Sequence, residues 1–373
     1  MIKKTFTINS DTIKLPAIGQ GCMGIGGKFS KDYSGDKNQI EALRYGIEQG
    51  MTLIDTAEVY GAGHAEELVG KAIEGCRPDV IVATKFSPEN NGYENVLSAA
   101  ERSLKRLNTD YIDIYQMHWP NPSIPLEETL RAMELLVDQG KVRYIGVSNF
   151  YEKDLREAAT LLNHTTIFSN QLELNLFDRF AEISVLPFCM EKNMAFLAYS
   201  PLDKGRLAPA RKRLEEIAKS YDNTVAQIIL NWLIRHPNVI AIPKAIKREH
   251  LKQNAASAEF RISKEHCREI DRLFPAEPSY IDANSISVSP RGEGNRKVYR
   301  TVEEAIANPL NFAPSPLELA EDVKKGDPIK PVRLVLNLGQ STRFEYDLVE
   351  GRIRYWAWYI AFEGKKPIPA YIR

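Results

Sequence analysis

The chain lacks several features that would assign it to a class at once. Its four cysteines, Cys22, Cys76, Cys189 and Cys267, are far apart and form no CxxC pair, so neither a zinc site nor a disulfide framework is indicated. The formal net charge at pH 7 is zero, which provides no overall attraction to nucleic acid or to an anionic membrane. No apolar run is long enough to span a bilayer, and the N-terminus has no signal-peptide pattern. We therefore expect a cytoplasmic protein with reduced thiols, no bound metal and no membrane partner.

A phosphate-binding turn of the G-x-G-x-x-G type is also missing. The segment Gly24-Ile25-Gly26-Gly27 is rich in glycine, but it has the wrong spacing and no helical pattern follows it directly. An open, doubly wound sheet that binds a dinucleotide is expected to carry that motif after its first strand. Its absence counts against this alternative fold.

Short apolar runs alternate with longer amphipathic runs from Gly19 to about Ala258. After a first strand around Gly19-Gln20-Gly21, the predicted strands are Thr52–Asp55, Val80–Thr84, Tyr111–Gln116, Val142–Val147, Phe168–Gln171, Ala195–Ala198 and Val239–Ile242. Helical patterns lie between them, and one of these covers Ile183–Lys192. Eight strands that alternate with helices predict an α/β fold, a (β/α)₈ TIM barrel. A short hairpin of Lys3–Ile8 and Thr12–Leu15 is predicted to precede it.

The pattern changes near Pro275, and 373 residues are enough for more than one domain. Residues 275–294 are rich in Pro, Ser, Asn and Gly, which is typical of a linker or long loop. We therefore predict a barrel over 1–275, a linker over 276–299 and a small α+β domain over 300–373. Its predicted helices are Val302–Ala307, Pro316–Lys325 and Gly351–Phe362, and its predicted strands are Pro331–Leu338, Arg343–Leu348 and Ile368–Ile372, with a turn around Gly339-Gln340.

Three predicted strands each deliver ionisable side chains at or just beyond their carboxyl ends. Asp55 ends the predicted strand Thr52–Asp55, and Tyr60 lies five residues later. Lys85 directly follows Val80–Thr84, and His118 lies just beyond Tyr111–Gln116. In a parallel barrel these ends meet on the face where active sites are built. A phenol beside an ammonium, a carboxylate and an imidazole is suited to donating a proton to a carbonyl oxygen.

These four residues resemble the catalytic set of the aldo-keto reductases. The sequence around them matches as well, in Asp55–Gly61, Gly146–Phe150, Tyr199–Leu202 and Ile242–Lys244. The resemblance covers roughly residues 1–275. It implies an oxidoreductase that reduces aldehyde or ketone carbonyls with NADP(H), or alternatively NAD(H), because no side chain supplies a hydride.

The resemblance also implies roles for the four catalytic residues. Tyr60 would be the general acid, and because a free phenol has a pKa near ~10, the Lys85 ammonium would lower it. Asp55 would hold Lys85 charged and in place. His118 would hydrogen-bond the substrate oxygen, and Trp119 beside it would form a wall of the substrate pocket.

Further residues are implied to bind the cofactor. Those for the nicotinamide are Ser148, Asn149 and Gln171, which bond its carboxamide, and Tyr199, which stacks on the ring, with Ser200 and Leu202 beside it. Those for the adenosine are Lys244 at the 2′-phosphate, Lys247 and Arg248 as further cations, and Asn254 at the adenine. The chain departs from many family members at Ala245, where Ser is common, and at His250, where Arg is common, and a neutral imidazole cannot clamp a phosphate as a guanidinium does.

The C-terminal segment resembles the ParB N-terminal/sulfiredoxin fold. The matching segments are Pro314–Ala320, Gly326–Val332, Tyr346–Tyr355 and Ile368–Ala370. In that group a Gly-x-x-Arg turn opens a helix, and such a helix start suits phosphate. Here the turn would place Gly351, Arg352 and Arg354 at a nucleotide or DNA phosphate. Sulfiredoxin chemistry is excluded because Arg352 replaces its reactive cysteine and no cysteine follows Cys267.

Structural roles compete with each of these functional roles when a residue is considered singly. A lone Asp at a strand end is usually a cap, and Arg352 and Arg354 could simply be solvated. For the whole chain, the alternative to a reductase is an NADP-binding redox sensor whose C-terminal domain contacts nucleotide or DNA.

Overall fold

A computed structural model describes residues 1–8, 11–203, 210–288, 299–338 and 344–372. The chain divides into two compact units, Met1–Phe274 and Pro275–Arg373. No described helix is long and apolar enough to cross a membrane.

The first unit alternates strands and helices as its apolar pattern predicts. Its strands are β1 Lys3–Ile8, β2 Asp11–Pro16, β3 Gln20–Gly21, β4 Leu53–Asp55, β5 Ile81–Phe86, β6 Ile112–Met117, β7 Val142–Ser148, β8 Ile167–Glu173, β9 Ala195–Tyr199 and β10 Val239–Ala241. Its helices are α1 Asp36–Glu48, α2 His64–Ile73, α3 Tyr93–Leu107, α4 Leu126–Asp138, α5 Glu152–Leu161, α6 Phe180–Ser184, α7 Leu186–Glu191, α8 Arg211–Ser220, α9 Val225–Leu233, α10 Arg248–Ala256 and α11 Lys264–Leu273.

Strands β3 to β10 form one eight-stranded parallel sheet in chain order. The sheet closes on itself because Ile18 and Ala241 form a parallel bridge, and the Gly19 amide donates to the Ala241 carbonyl at 2.8 Å. The predicted (β/α)₈ barrel is therefore confirmed. Its strands are buried on both sides, as expected for a parallel sheet covered by helices.

The predicted N-terminal hairpin is also present, although the turn residues Asn9 and Ser10 lie outside the described part of the chain. Strands β1 and β2 pair antiparallel from Lys3 and Pro16 to Ile8 and Asp11. Phe6 is buried against Phe168, near the start of β8, with ring centres 5.8 Å apart. The hairpin thus packs at the amino ends of the strands, away from the carboxyl ends that carry the ionisable residues.

One predicted helix is interrupted in the structure. The segment Ile183–Lys192 is divided between α6 and α7, with Val185 between them in a non-helical conformation. Pro187 lies in the first turn of α7. Proline has no backbone N–H, so Pro187 cannot donate to the carbonyl four residues before it, and a new helix starts here instead of the first continuing.

The second unit is an α+β structure. Its described strands are β11 Ser279–Ile281, β12 Ile286–Ser287, β13 Val332–Leu336, β14 Tyr346–Glu350 and β15 Ile368–Ile372, and its described helices are α12 Val302–Ala307, α13 Pro316–Lys324 and α14 Arg352–Phe362. The strands form a mixed sheet in the order β11-β15-β13-β14-β12. Leu334, Leu348, Tyr355 and Trp356 are buried together in its core.

The expected linker over 276–299 needs correction where it is described. Strands β11 and β12 lie within it, and they pair with β15 and β14 of the second unit. These strands are only three and two residues long, so they carry no alternating pattern that a sequence could reveal. The predicted turn around Gly339-Gln340 and the predicted strand start at Arg343 lie outside the described residues.

Candidate active site

The barrel brings the four predicted catalytic residues to the carboxyl ends of three adjacent strands. Asp55 is the last residue of β4, Lys85 lies near the end of β5, and His118 directly follows β6. Tyr60 begins a tight turn, Tyr60–Gly63, between β4 and α2. Strands β4, β5 and β6 are consecutive in the sheet, so the four side chains share one face of the barrel.

The strongest interaction of the site is a buried ion pair. Lys85 Nζ donates to both carboxylate oxygens of Asp55, at 2.8 and 2.9 Å, and to the Thr56 carbonyl at 2.7 Å. The Gln171 side chain donates to Asp55 Oδ1 at 2.7 Å. Burial acts to lower the pKa of Lys85, but the Asp55 carboxylate and then Tyr60 raise it overall. Lys85 is therefore held as an ammonium although it is fully buried.

Tyr60 lies between this ion pair and His118. Lys85 Nζ is 5.2 Å from the centre of the Tyr60 ring, and the ring centres of Tyr60 and His118 are 5.9 Å apart. Lys85 was expected to lower the pKa of Tyr60, but it is only one of several groups that affect this pKa. Burial raises the pKa, Lys85 opposes that effect, Asp55 adds to it, and the net direction is upward. The phenol therefore keeps its proton until a substrate oxygen can accept it.

His118 is neutral in this environment. Burial, followed by the neighbouring Lys85 ammonium, lowers the pKa of His118 to about 3. A neutral imidazole has one N–H donor and one acceptor nitrogen. It can therefore donate a hydrogen bond to a carbonyl oxygen without competing with Tyr60 as a strong acid.

Three of the predicted cofactor residues bond directly to the catalytic set or to one another. The Asn149 amide group donates to the His118 carbonyl and to Ser148 Oγ, both at 3.0 Å. Ser148 Oγ donates to the Gln171 carbonyl at 3.0 Å. Asn149 adopts a left-handed backbone with φ of 63°, which turns its side chain away from the strand direction. These residues form a polar edge beside His118 and Asp55.

The other residues predicted to bind the nicotinamide differ in their burial. Tyr199 is half-buried, and its hydroxyl donates to Asn149 Oδ1 at 3.1 Å. Ser200 is exposed and Leu202 is half-buried. Tyr199 is thus tied by an observed bond to Asn149, one of the residues predicted to bind the nicotinamide.

The predicted phosphate side is an exposed group of cations. Lys244 follows β10, Lys247 directly precedes α10 and Arg248 begins that helix, and all three are exposed. The Arg248 guanidinium lies 4.9 Å from the centre of the Tyr45 ring. Asn254 is buried on the same helix.

The predicted substrate-pocket residue Trp119 is 49% exposed. Asn91 donates to its carbonyl at 3.2 Å, which ties the segment after His118 to the loop after β5. The large apolar side chain of Trp119 is thus available for contact beside His118.

Two contributors were not predicted from the sequence. Gln116 donates to Asp55 Oδ1 at 3.5 Å from the strand that leads to His118. Glu58 accepts from the Ser87 amide at 2.7 Å and from the Asn90 side chain at 2.6 Å, so it joins the loops after β4 and β5. The signal for Gln116 was a polar side chain two residues before His118, and therefore on the same side of the strand.

The predicted phosphate turn of the second unit has a defined conformation. Gly351 precedes α14 with φ of 95°, a left-handed value that favours glycine. The Arg354 guanidinium donates to the carbonyls of Lys330 and Pro331 at 2.8 and 2.7 Å, and to Glu350 at 3.3 Å. These contacts give Arg354 a structural role inside the unit. Arg352 lies at the first turn of the helix.

Comparison with known proteins agrees with the geometry of the barrel. The model of the Aldo/keto reductase family matches residues 17–274. Methylglyoxal reductase YeaE of Escherichia coli (strain K12) is 42% identical over 271 residues, which are 72% of this chain and 94% of that protein. The chain therefore belongs to the aldo/keto reductase family.

Solved structures agree with this assignment. The thermostable aldo-keto reductase Tm1743, in complex with the inhibitor epalrestat, has a TM-score of 0.70 and 45% identity, covering 73% of this chain and 100% of that one. An aldo-keto reductase from Klebsiella pneumoniae in complex with NADPH has a TM-score of 0.68 and 40% identity, covering 74% and 96%. The family match ends at the boundary between the two units.

The lowered pKa of His118 predicts a pH-dependent stability. The unfolded chain protonates this histidine near its ordinary pKa of ~6.5, whereas the folded protein does so only near about 3. Its contribution is therefore complete above about pH 6.5 and is lost as the pH falls from there. Between about pH 7 and about pH 4.5, the free energy of unfolding of the wild type should fall by about 2–3 kcal/mol more than that of His118→Gln.

Urea unfolding at the two pH values measures this difference, with His164→Gln as the control. His164 is exposed, and a hydrogen bond to Asp138 raises its pKa, so its removal should not flatten the loss of stability. Equal pH dependence in the wild type and in His118→Gln would contradict a buried neutral His118.

Proposed function

We propose that the protein is an NADP(H)-dependent carbonyl reductase. The observation that carries this proposal is the buried Asp55–Lys85 ion pair beside the Tyr60 phenol, with the neutral His118 facing the same ring. Family membership supports it independently. The cytoplasmic location expected from the sequence is part of the same proposal.

The chain's own residues supply the proton and orient the substrate. The carbonyl oxygen accepts a hydrogen bond from His118 and from the Tyr60 hydroxyl, which makes the carbonyl carbon more electrophilic. Tyr60 then donates its proton to the oxygen as negative charge develops there. The Lys85 ammonium stabilises the phenolate that remains, and Asp55 keeps Lys85 in place. NADPH, when bound, would supply the hydride that the carbonyl carbon receives.

The residues present fit this cofactor. The polar edge of Ser148, Asn149 and Gln171 offers amide and hydroxyl groups beside the catalytic residues, as a nicotinamide carboxamide requires. Tyr199 is held against Asn149 and offers a ring face for stacking. Lys244, Lys247 and Arg248 are exposed cations for the 2′-phosphate, which favours NADP(H) over NAD(H). The Klebsiella pneumoniae relative was crystallised with NADPH.

A small dicarbonyl is the proposed substrate class. The relative from Escherichia coli is described as a methylglyoxal reductase, and the match to this chain covers 94% of its length. An electron-poor carbonyl needs less help from the general acid, which suits a phenol whose pKa is raised by burial. Trp119, half-exposed beside His118, would wall the apolar side of the pocket.

A second candidate function concerns the C-terminal unit. We propose that it is ParB-like and binds a nucleotide or DNA phosphate at the turn before α14. The left-handed Gly351 between β14 and a helix of 11 residues supports this, because the free amides and dipole of a helix start suit an anion. Arg352, in the first turn of α14, is the proposed charged contact. Arg354 donates to backbone carbonyls and to Glu350.

Replacing Tyr60 by Phe tests the reductase proposal. The variant should lose at least ~10²-fold in kcat for methylglyoxal, because the proton donor is gone while its ring remains. NADPH affinity should be nearly unchanged. Steady-state NADPH oxidation and fluorescence titration measure the two quantities, and Tyr111→Phe, just before β6 at the opposite end of the barrel, is the matched control.

A near-normal kcat in Tyr60→Phe would refute Tyr60 as the acid. Tight NADPH binding by the wild type, without turnover of any aldehyde or ketone in a panel, would favour the redox sensor instead.

The phosphate proposal predicts that Arg352→Ala weakens nucleotide binding by the second unit. Calorimetry with ATP, or with a short DNA duplex, is performed on the whole chain saturated with NADPH so that the barrel site is blocked. Loss of a charge-assisted bond should weaken affinity about tenfold. Lys325→Ala, an exposed cation after α13, is the control and should bind normally. Unchanged binding by Arg352→Ala, or no binding by the wild type, would refute the clamp.

A further inference from the structure

His64 bridges two carboxylates beside the turn Tyr60–Gly63. Its Nε2 lies 2.9 Å from Asp36 Oδ1 at the start of α1, and its Nδ1 lies 2.6 Å from Glu67 Oε2 on α2. The side chain is only 2% exposed. Each ring nitrogen therefore faces one carboxylate oxygen at hydrogen-bond distance. The mechanism described above makes no use of this residue.

The same bridge fastens the loop between β3 and α1. The Tyr33 ring lies 4.4 Å from the His64 ring, and Lys31 pairs with Glu67 at 2.9 Å. Burial acts to raise the pKa of Glu67, but hydrogen bonds from Lys31 and His64 lower it overall. One histidine therefore joins the loop between β3 and α1 to the helices α1 and α2.

This fastened loop in turn contacts the turn that carries Tyr60. The Gly61 amide donates to the Lys28 carbonyl at 3.0 Å. A Cβ atom added at Gly61 would come within 2.3 Å of the Gly26 carbonyl oxygen, which shows how closely the two backbones approach. Movement of the loop would therefore shift the residue next to the proposed acid.

The turn itself is strained. Gly61, Ala62 and Gly63 have φ values of 56°, 50° and 89°, all in the left-handed region. Ala62 is not a glycine, and such a conformation persists only where the surrounding structure enforces it. Tyr60 lies at one end of this turn and His64 at the other, where α2 begins.

We propose that His64 is a positioning residue, which fixes the strained turn and thereby the Tyr60 hydroxyl by bridging Asp36 and Glu67. The proposal rests on the proposed function, since it assigns Tyr60 as the acid. The charged and titratable groups around His64 are Asp36 of α1, Glu67 of α2, and Lys31, Asp32 and Tyr33 of the loop.

The first measurement is kinetic. His64→Ala should lower kcat for methylglyoxal about tenfold, because a small displacement of a reacting group is costly, while KM changes less than about twofold. Asp36→Ala, which removes one arm of the bridge, should lower kcat by a smaller factor. The double variant should match His64→Ala alone, because Asp36 acts through His64.

The second measurement does not depend on turnover. Hydrogen–deuterium exchange of the Gly61 amide and of residues 24–34 should be at least about tenfold faster in His64→Ala than in the wild type. His164→Ala is the matched control for both measurements. His164 also lies between two carboxylates, Asp138 and Glu134, but it is exposed and far from Tyr60 in sequence.

The two readouts decide the proposal together. Faster exchange with lower kcat supports it; faster exchange with normal kcat, lower kcat with normal exchange, or additive effects of the Asp36 and His64 variants would each overturn it. If His64→Ala does not fold, Asp36→Ala carries the same comparison of exchange and kcat. If the wild type reduces no carbonyl compound, the proposed function fails, and normal exchange in the variants would separately reject the bridge.

Discussion

The site depends on one buried ion pair. Lys85 has no exposed surface, and it keeps its charge because both oxygens of Asp55 and the Thr56 carbonyl accept hydrogen bonds from it. Breaking such a pair leaves an uncompensated charge in a region of low dielectric constant, which is strongly destabilising. Asp55 also accepts a hydrogen bond from the Gln171 side chain, so the same carboxylate connects the proposed catalytic residues to the proposed nicotinamide edge. Barrel geometry places these groups, and burial together with the ion pair determines which of them are charged.

The barrel, and the meeting of the proposed catalytic residues on one of its faces, were predictable because both follow from local sequence. Strand ends and the residues that follow them can be found from apolar runs, and parallel strands bring those ends together. The upward direction of the pKa shift of Tyr60 was not predictable, because burial is a property of the folded barrel and its effect outweighs that of Lys85. Strands β11 and β12 were missed because pairing with β15 and β14, distant in sequence, defines them. The bridging role of His64 joins residues from two helices and a loop, and no spacing indicates it.

The second unit shows where residue type alone misleads. Arg352 and Arg354 both lie in the Gly-x-x-Arg turn, and Arg354 is the arginine of that pattern, yet its guanidinium donates to two backbone carbonyls of the segment before β13. A guanidinium that satisfies carbonyl groups stabilises its own unit and is not available as a phosphate ligand without losing those bonds. Two aromatic residues of α14 also have structural roles. Tyr355 and Trp356 belong to the core, and their polar atoms donate to backbone carbonyls. The unit is thus held by its own packing, whatever it binds.

The most direct test of the central claim removes both charges of the pair together. Asp55→Asn with Lys85→Met leaves neither an unpaired carboxylate nor an unpaired ammonium, so the variant should fold, melt near the wild-type temperature and bind NADPH. Its kcat for methylglyoxal should nevertheless fall by at least ~10²-fold, because no ammonium remains to stabilise the Tyr60 phenolate. A folded double variant with near-wild-type kcat would contradict the account.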